Sequence, residues 1–208
     1  MILSRAELPW SVARNPYEHH RRLWRLFPDQ PIEKRQRQEQ PRQGFLFRDE
    51  DSRPGQPARI LLQSSARPTA AEGVRLLASR DLDPQPSVGQ RLAFLLTANP
   101  VKAIKDTQMQ EKPNKRRDTC RVPLITEASQ TAWLERKLEG GARMDAVSVL
   151  PHPPVFFRRG HRAGKLVTVT FEGLLTVTDP EQLRALLSNG VGPAKAFGCG
   201  LLLVRRLA

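Results

Sequence analysis

The two halves of the chain predict the same order of secondary structure, and this repeat restricts the fold more than any other feature of the sequence. The order is strand, helix, strand, strand, helix, strand. In the first half the helix begins at the cap Asn15-Pro16 and ends before Pro28, and the other predicted elements are strands 2–8, 44–48, 58–64 and 91–97 and helix 70–77. In the second half they are strands 120–125, 146–157, 165–178 and 201–205 and helices 127–138 and 181–187. Such a repeat predicts an α+β protein with tandem ferredoxin-like (βαββαβ) domains and antiparallel sheets.

The repeat also predicts the domain organisation of the 208 residues. Residues 1–98 are expected to form an N-terminal ferredoxin-like domain, and residues 120–208 a C-terminal one with a glycine-rich loop. A basic segment, 99–119, would connect them. Residues 33–43 are nearly all Arg, Gln, Glu and Lys without apolar periodicity, which predicts a solvated loop.

The charge of the chain narrows the choice of partner. Lys and Arg number 34 against 21 Asp and Glu, so the net charge is +13 and favours nucleic acid or an anionic membrane as partner. No run approaches the roughly 20 apolar residues of a spanning helix, and Arg5 and Glu7 interrupt any secretory signal. We therefore expect no membrane contact, a cytoplasmic location and a monomer in isolation. Cys120 and Cys199 form no CxxC pair, which predicts reduced thiols.

The first helix carries the main candidate for catalysis. Tyr17 and His20 are three residues apart at the N-terminal end of an apolar stripe that continues through Leu23 and Trp24. Arg21 and Arg22 lie on the adjoining surface and suit phosphate binding. A histidine in this place often only packs against its neighbours, so the pattern leaves both interpretations open.

The spacing of the four histidines limits the reaction that His20 could assist. None of the four has metal-ligand spacing, so we expect no metal and no cofactor. RNA carries its own nucleophile, the 2′-hydroxyl, and one histidine with an ordinary pKa of about 6.5 can move the necessary proton. If His20 is catalytic, a metal-independent endoribonuclease is the class of enzyme that fits; a non-catalytic RNA-binding assembly subunit and an adaptor for an acidic protein are the alternatives.

Three further segments are candidates for RNA binding, each with a structural alternative. The segment after 102 could be a solvated linker, the loop near 160 a solubilising turn, and the glycine-rich run 190–200 a tight turn before the last strand. That run follows a helix, the reverse of a nucleotide-binding loop, so no nucleotide is predicted. The candidate residues are Lys112, Lys115, Arg116, Arg117, Arg158, Arg159, Arg162, Gly192, Lys195 and Gly198. Lys165 is a further candidate, as the group that stabilises charge at the cut.

Several motifs, in this order, carry a resemblance to a known family. They are Tyr17-x-x-His20-x-x-Leu23-Trp24-x-x-Phe27-Pro28, Asn99-Pro100-x-Lys102, Arg121-Val122-Pro123-Leu124-Ile125, Trp133-Leu134-x-Arg136-Lys137-Leu138, Phe171-Glu172-Gly173 and Gly192-Pro193-Ala194-Lys195-x-x-Gly198-Cys199-Gly200-Leu201-Leu202. With them the chain resembles, nearly from end to end, the CasE (Cse3) family of CRISPR-associated endoribonucleases of the Cascade system.

This resemblance implies a specific activity. Members bind the hairpin of a CRISPR repeat transcript and cut once at the 3′ base of its stem without a metal. The cut leaves a 5′-hydroxyl and a 2′,3′-cyclic phosphate, and the product stays bound while other Cascade subunits assemble on it. By position, His20 takes the catalytic role as general acid or base, Tyr17 takes the helper position, and residues 190–200 correspond to the family's glycine-rich loop.

Overall fold

The computed structural model describes residues 1–29, 44–105 and 119–207, and it contains two four-stranded antiparallel sheets. The first half contributes β1 (Ile2–Leu8), α1 (Trp10–Ala13), α2 (Pro16–Leu23), β2 (Phe45–Asp51), β3 (Ala58–Ser64) and β4 (Arg75–Asp81). The remainder contributes β5 (Arg91–Ala98), β6 (Val101–Lys105), β7 (Thr119–Pro123), α3 (Glu127–Leu138), β8 (Ala142–Pro151), β9 (Val155–Arg159), β10 (Arg162–Leu166), β11 (Val169–Val177), α4 (Pro180–Asn189) and β12 (Leu202–Arg206).

Both sheets have the strand order of a ferredoxin-like unit. The first runs β2-β3-β1-β4 and the second β12-β5-β11-β8, so in each the first and third strands are central. The second unit has both helices, α3 and α4, whereas residues 65–74 of the first unit contain no helix. Two small hairpins, β6–β7 and β9–β10, are inserted in the second unit. The predicted α+β class with tandem ferredoxin-like units is confirmed.

Helix α2 forms where its capping residues predicted it. The Asn15 side chain accepts the N–H of Tyr17 at 3.3 Å, and Pro16 occupies the first helical position, where its missing N–H costs nothing. The helix continues as a 3₁₀ turn, Trp24–Leu26, before the chain leaves the sheet. Its buried side chains pack on one face of the first sheet, in a core that includes Leu23, Leu26, Phe27, Phe45, Phe47, Ile60 and Leu62.

Several predicted elements are wrong or have other limits. Residues 70–77 are not helical, because Gly73 adopts a φ of +76° in a turn and β4 then pairs with β1. Strand β5 pairs with β11 and β12, so the prediction that it closes the first domain is wrong. The basic segment 99–119 accordingly lies in the connection from β5 to α3. The predicted strands 146–157 and 165–178 are each divided in two, which creates the β9–β10 hairpin.

The two units pack against each other through the face of the first sheet that α2 leaves free. Leu46 and Leu61 from that face form a small buried cluster with Leu201 of the second unit. Next to it, the Gln63 side chain donates to the carbonyl oxygen of Leu187 at 2.7 Å. Apolar burial and a satisfied buried amide thus hold the units together. Among the described residues, no helix is long and apolar enough to cross a membrane.

Candidate functional site

His20 lies half-buried on an aromatic surface between α2 and the first sheet. Its ring centroid is 5.1 Å from that of Phe45 and 6.3 Å from that of Phe47, and it meets the Trp24 ring edge-on at 5.9 Å. Burial lowers the pKa of His20 below its ordinary value of 6.5. The imidazole is therefore neutral at pH 7 and can accept a proton.

The adjacent histidine has a different environment. His19 is buried, and its Nε2 donates to the carbonyl oxygen of Ala13 at 2.9 Å. That bond ties the side chain to the preceding turn, so His19 is a satisfied packing residue. Of this pair, His20 alone keeps a partly exposed ring, and it is the histidine that the sequence motif indicates as the catalytic candidate.

Tyr17 brings three separate segments of the chain together. Its ring stacks on Phe157 of β9, with centroids 6.3 Å apart and planes 14° apart, and also contacts Phe197 at 6.3 Å. Phe157 and Phe197 touch each other, with centroids 4.5 Å apart. We call Tyr17, Phe157 and Phe197 the aromatic cluster. It joins the helix of His20 to the basic hairpin and to the 3₁₀ turn Lys195–Phe197 of the glycine-rich loop.

The β9–β10 hairpin carries four of the predicted site residues. Arg158 and Lys165 are exposed, and the Lys165 ammonium lies 6.0 Å from the centroid of the Phe156 ring. Arg159 and Arg162 are opposite each other in the strand register, next to the turn of the hairpin. The hairpin therefore presents cationic residues on an element that contacts the first turn of α2.

The glycine-rich loop has structural reasons for its composition. Gly192 has a φ of +79° and lies against the Trp133 ring, and Gly198 has a φ of +78° and lies against Phe47, which also contacts His20. Lys195 donates to the carbonyl oxygen of Asn189 at 2.5 Å, at the C-terminal end of α4. Burial lowers the pKa of Lys195. The loop is thus packed against the rest of the site, and its contact with RNA stays a prediction.

The remaining predicted residues differ in how the structure places them. Arg21 is exposed and pairs with Glu18 at 3.6 Å within α2. The guanidinium of Arg22 packs over Gly73, where an added Cβ atom would lie 2.8 Å from its Nη1. Both lie on the helix of His20. The other predicted residues, Lys112, Lys115, Arg116 and Arg117, lie outside the described residues.

Comparison with known proteins identifies the family. The profile of a family described as CRISPR associated protein matches residues 2–206. The chain belongs to this family. The Cascade subunit CasE of the CRISPR system of Escherichia coli K12 is 39% identical over 204 residues, which cover 97% of this chain and 98% of that protein.

Solved structures of the CRISPR-associated family extend the comparison to the fold. The crystal structure of Cas6e from E. coli K-12 matches with a TM-score of 0.83 at 37% identity, covering 100% of both chains. A structure of the CRISPR endoribonuclease Cse3 bound to a 19-nucleotide RNA matches with a TM-score of 0.74 at 35% identity, covering 99% of this chain and 100% of that one.

Several residues at the site of this CRISPR-associated chain were not found by sequence reasoning. Phe45 and Phe47 alternate in β2, a spacing that indicates a buried strand face but not which side chain lies above it. Phe157 and Phe197 lie within the basic and the glycine-rich segments, where only the charges and the glycines were considered. Asn15 was recognised as a helix cap, and its bonds to the hairpin were missed. Within the described ranges, no three His, Cys, Asp or Glu side chains form a metal-binding cluster.

Proposed function

We propose that this chain is a metal-independent endoribonuclease that binds CRISPR repeat hairpin RNA and cuts it at the 3′ base of the stem. The product, mature guide RNA, stays bound to it as it joins the other Cascade subunits. The observation that carries the proposal is His20, a half-exposed histidine with a lowered pKa on a helix joined to a basic hairpin. The names of the relatives, a Cascade subunit and an RNA-bound endoribonuclease, agree with it.

The proposed reaction is a transesterification within the RNA. The 2′-oxygen forms a bond to the adjacent phosphorus as its proton leaves, and the bond from phosphorus to the 5′-oxygen breaks. The departing 5′-oxygen takes up a proton, so the ends are a 2′,3′-cyclic phosphate and a 5′-hydroxyl. No oxidant, reductant or cofactor is required.

The neutral imidazole of His20 suits the first proton transfer. A base must hold no proton at the working pH, and burial among Phe45, Phe47 and Trp24 favours this form. Tyr17, one turn earlier on the same helix face, stands in the helper position. The exposed ammonium of Lys165 is proposed to stabilise negative charge on the phosphoryl oxygens.

Binding is proposed to rest on phosphates rather than on bases. The major groove of an A-form stem is too deep and narrow for most side chains to read, so shape and end geometry select the hairpin. Arg21 and Arg22 on the helix of His20 and Arg158 of the hairpin are proposed to bind phosphates, and Arg159 and Arg162 of the same hairpin stay candidates by their place in the sequence. Removal of one imidazole leaves these cations unchanged, so binding and cleavage are separable.

The test is single-turnover cleavage of a repeat hairpin RNA in EDTA. His20→Ala should slow the cleavage rate constant by about 10²- to 10⁴-fold, the usual contribution of a general acid or base, while RNA affinity is retained. His19→Gln is the matched control, because its amide can still donate to the Ala13 carbonyl, and it should cut at close to the wild-type rate.

Three outcomes would contradict the proposal. A His20→Ala variant that binds and cuts like wild type would mean that another group is catalytic. Cleavage that stops in EDTA would refute metal independence. Tight RNA binding by a wild-type protein that never cuts would favour the non-catalytic assembly subunit.

A further inference from the structure

Asn15 bonds two segments that are far apart in the sequence. Its Oδ1 accepts the backbone N–H of Tyr17 at 3.3 Å, which caps α2, and also accepts the backbone N–H of Arg158 at 3.3 Å. Its Nδ2 donates to the carbonyl oxygen of Arg158 at 3.2 Å. Ser, Thr or Asp could cap the helix equally well, but among these capping residues only Asn carries its acceptor and its donor on two separate atoms, so that one atom accepts the Arg158 N–H while the other donates to the Arg158 carbonyl oxygen.

The backbone N–H and C=O of Arg158 are available to Asn15 because the hairpin has only two strands. In an antiparallel pair, every second residue directs its N–H and C=O away from the partner strand. Arg158 lies opposite Ala163 in the register of β9 and β10, and both of its backbone groups meet Asn15 instead. The Asn15 side chain thus takes the place that a third strand would occupy.

Asn15 holds the edge of β9, and an aromatic contact holds one face of the same strand. Phe157 stacks on Tyr17, and its ring lies over Gly164, where an added Cβ atom would overlap it. Cross-strand partners share a face, so Phe156 and Lys165 lie on the face opposite Phe157. The hairpin is therefore anchored through one edge and one face, and its cationic face stays exposed.

We propose that Asn15 is a positioning residue that holds the β9–β10 hairpin against the helix of His20. This rests on the proposed function, in which the exposed cations Arg158 and Lys165 grip the RNA that His20 cuts. An isolated two-stranded hairpin has little stability of its own, so its orientation depends on such anchors. Loss of the two Asn15 bonds would let the bound phosphate shift relative to the imidazole. A displacement of about 1 Å can lower a rate by up to about 10²-fold.

The main test is Asn15→Ser, which keeps a helix cap but removes the carboxamide whose oxygen and nitrogen make the two bonds to Arg158. With protein in saturating excess over repeat hairpin RNA, the cleavage rate constant should fall by about 10-fold or more. RNA affinity should change by less than about threefold, because the phosphate-binding cations are all still present. Thr126→Ala is the control, since it removes the cap of α3 without touching the hairpin, and its rate constant should match wild type.

A double-mutant cycle shows whether Asn15 acts through the hairpin. The second variant replaces both Arg158 and Lys165 by Gln, which leaves the backbone groups that Asn15 uses unchanged. In that background Asn15→Ser should have less than about a twofold further effect, because the hairpin no longer holds a phosphate to be positioned. Independent effects that multiply would overturn the proposal, as would an Asn15→Ser variant that cuts like wild type.

Hydrogen exchange separates this proposal from the proposed function. The Arg158 amide should exchange slowly in the wild-type protein and faster in Asn15→Ser, whether or not the protein cuts RNA. If that amide exchanges equally fast in both proteins, the positioning role of Asn15 is refuted. If the amide is protected only in wild type, and wild type cuts no repeat RNA, the proposed function fails but the anchoring of the hairpin by Asn15 stands.

Discussion

Substitution of Gly192 measures how tightly the glycine-rich loop is packed. A Cβ atom at this position would lie 2.8 Å from Cζ2 and Cη2 of the Trp133 ring. That ring is buried and stacks on Phe171, with centroids 6.2 Å apart, so it has little room to move. Gly192→Ala therefore has two unfavourable effects. It forces a residue with a side chain into the left-handed backbone conformation, and it crowds the core around Trp133.

Gly89 provides a control for the backbone effect alone. Its φ of +78° nearly equals the +79° of Gly192, but no atom lies within 4 Å of its added Cβ. The left-handed conformation costs about 1–2 kcal/mol in both variants. Overpacking against Trp133 adds about 1–3 kcal/mol at Gly192 only. We expect Gly89→Ala to lower the free energy of unfolding by about 1–2 kcal/mol and Gly192→Ala to lower it by about 2–5 kcal/mol.

Urea unfolding followed by tryptophan fluorescence gives both free energies. Equal losses for the two variants would refute the packing argument, because the added crowding would then have no cost. If Gly192→Ala also bound RNA more weakly while it was fully folded, the glycine would be needed for the approach of RNA. Weaker binding that appears only together with unfolding would assign the glycine to the fold.

Two further predictions concern titrating groups. Burial lowers the pKa of His20 in the folded protein, so the unfolded chain binds the proton more readily. The stability that the neutral ring contributes is therefore complete above the unfolded pKa of about 6.5, and it is lost as the pH falls through the lower pKa of the folded state. As the pH falls from about 7.5 to about 5, the free energy of unfolding should therefore decrease more in wild type than in His20→Gln. A constant difference between the two proteins would contradict the burial of the ring. Burial raises the pKa of the Cys199 thiol to about 12, whereas Cys120 is partly exposed. An alkylating reagent should therefore modify only Cys120 rapidly in the folded protein and both thiols in urea. Rapid modification of both thiols in the folded protein would disprove the burial of Cys199.

Elements with strong local signals could be predicted from the sequence. The limits of α3, β1 and β3 agree with prediction, and the cap at Asn15 located the start of α2. In contrast, the run from Ala70 to Leu77 is rich in helix-forming Ala and Leu but becomes a turn and an edge strand. Its backbone pairs with β1, and this tertiary contact outweighs a weak local preference.

The prolines gave a signal that was not used. Pro151, Pro153 and Pro154 lie inside the predicted strand 146–157, and a residue without an N–H interrupts a ladder of hydrogen bonds. The strand ends there. The break after Leu166 has no such signal in its own segment. There the Val167 carbonyl oxygen accepts a hydrogen bond from the side chain of Asn99, a residue distant in the sequence, at 2.6 Å.

Only those parts of the candidate site whose residues are close in the sequence could be predicted. Tyr17 and His20 share one helix, so their spacing placed them together. The bond between Asn15 and Arg158 and the stacking of Tyr17 on Phe157 join residues that are distant in the chain. Periodicity within one segment carries no information about such pairs, and they depend on how the two units pack.

The aromatic cluster has a consequence for protein synthesis. Ribosomes release the N-terminal part of a chain first, so the helix of His20 emerges long before Phe157 and much earlier still than Phe197. A partly translated chain therefore has the imidazole without the aromatic partners that Tyr17 needs. The helix, the hairpin and the glycine-rich loop can therefore be joined through this cluster only after residue 197 has been synthesised.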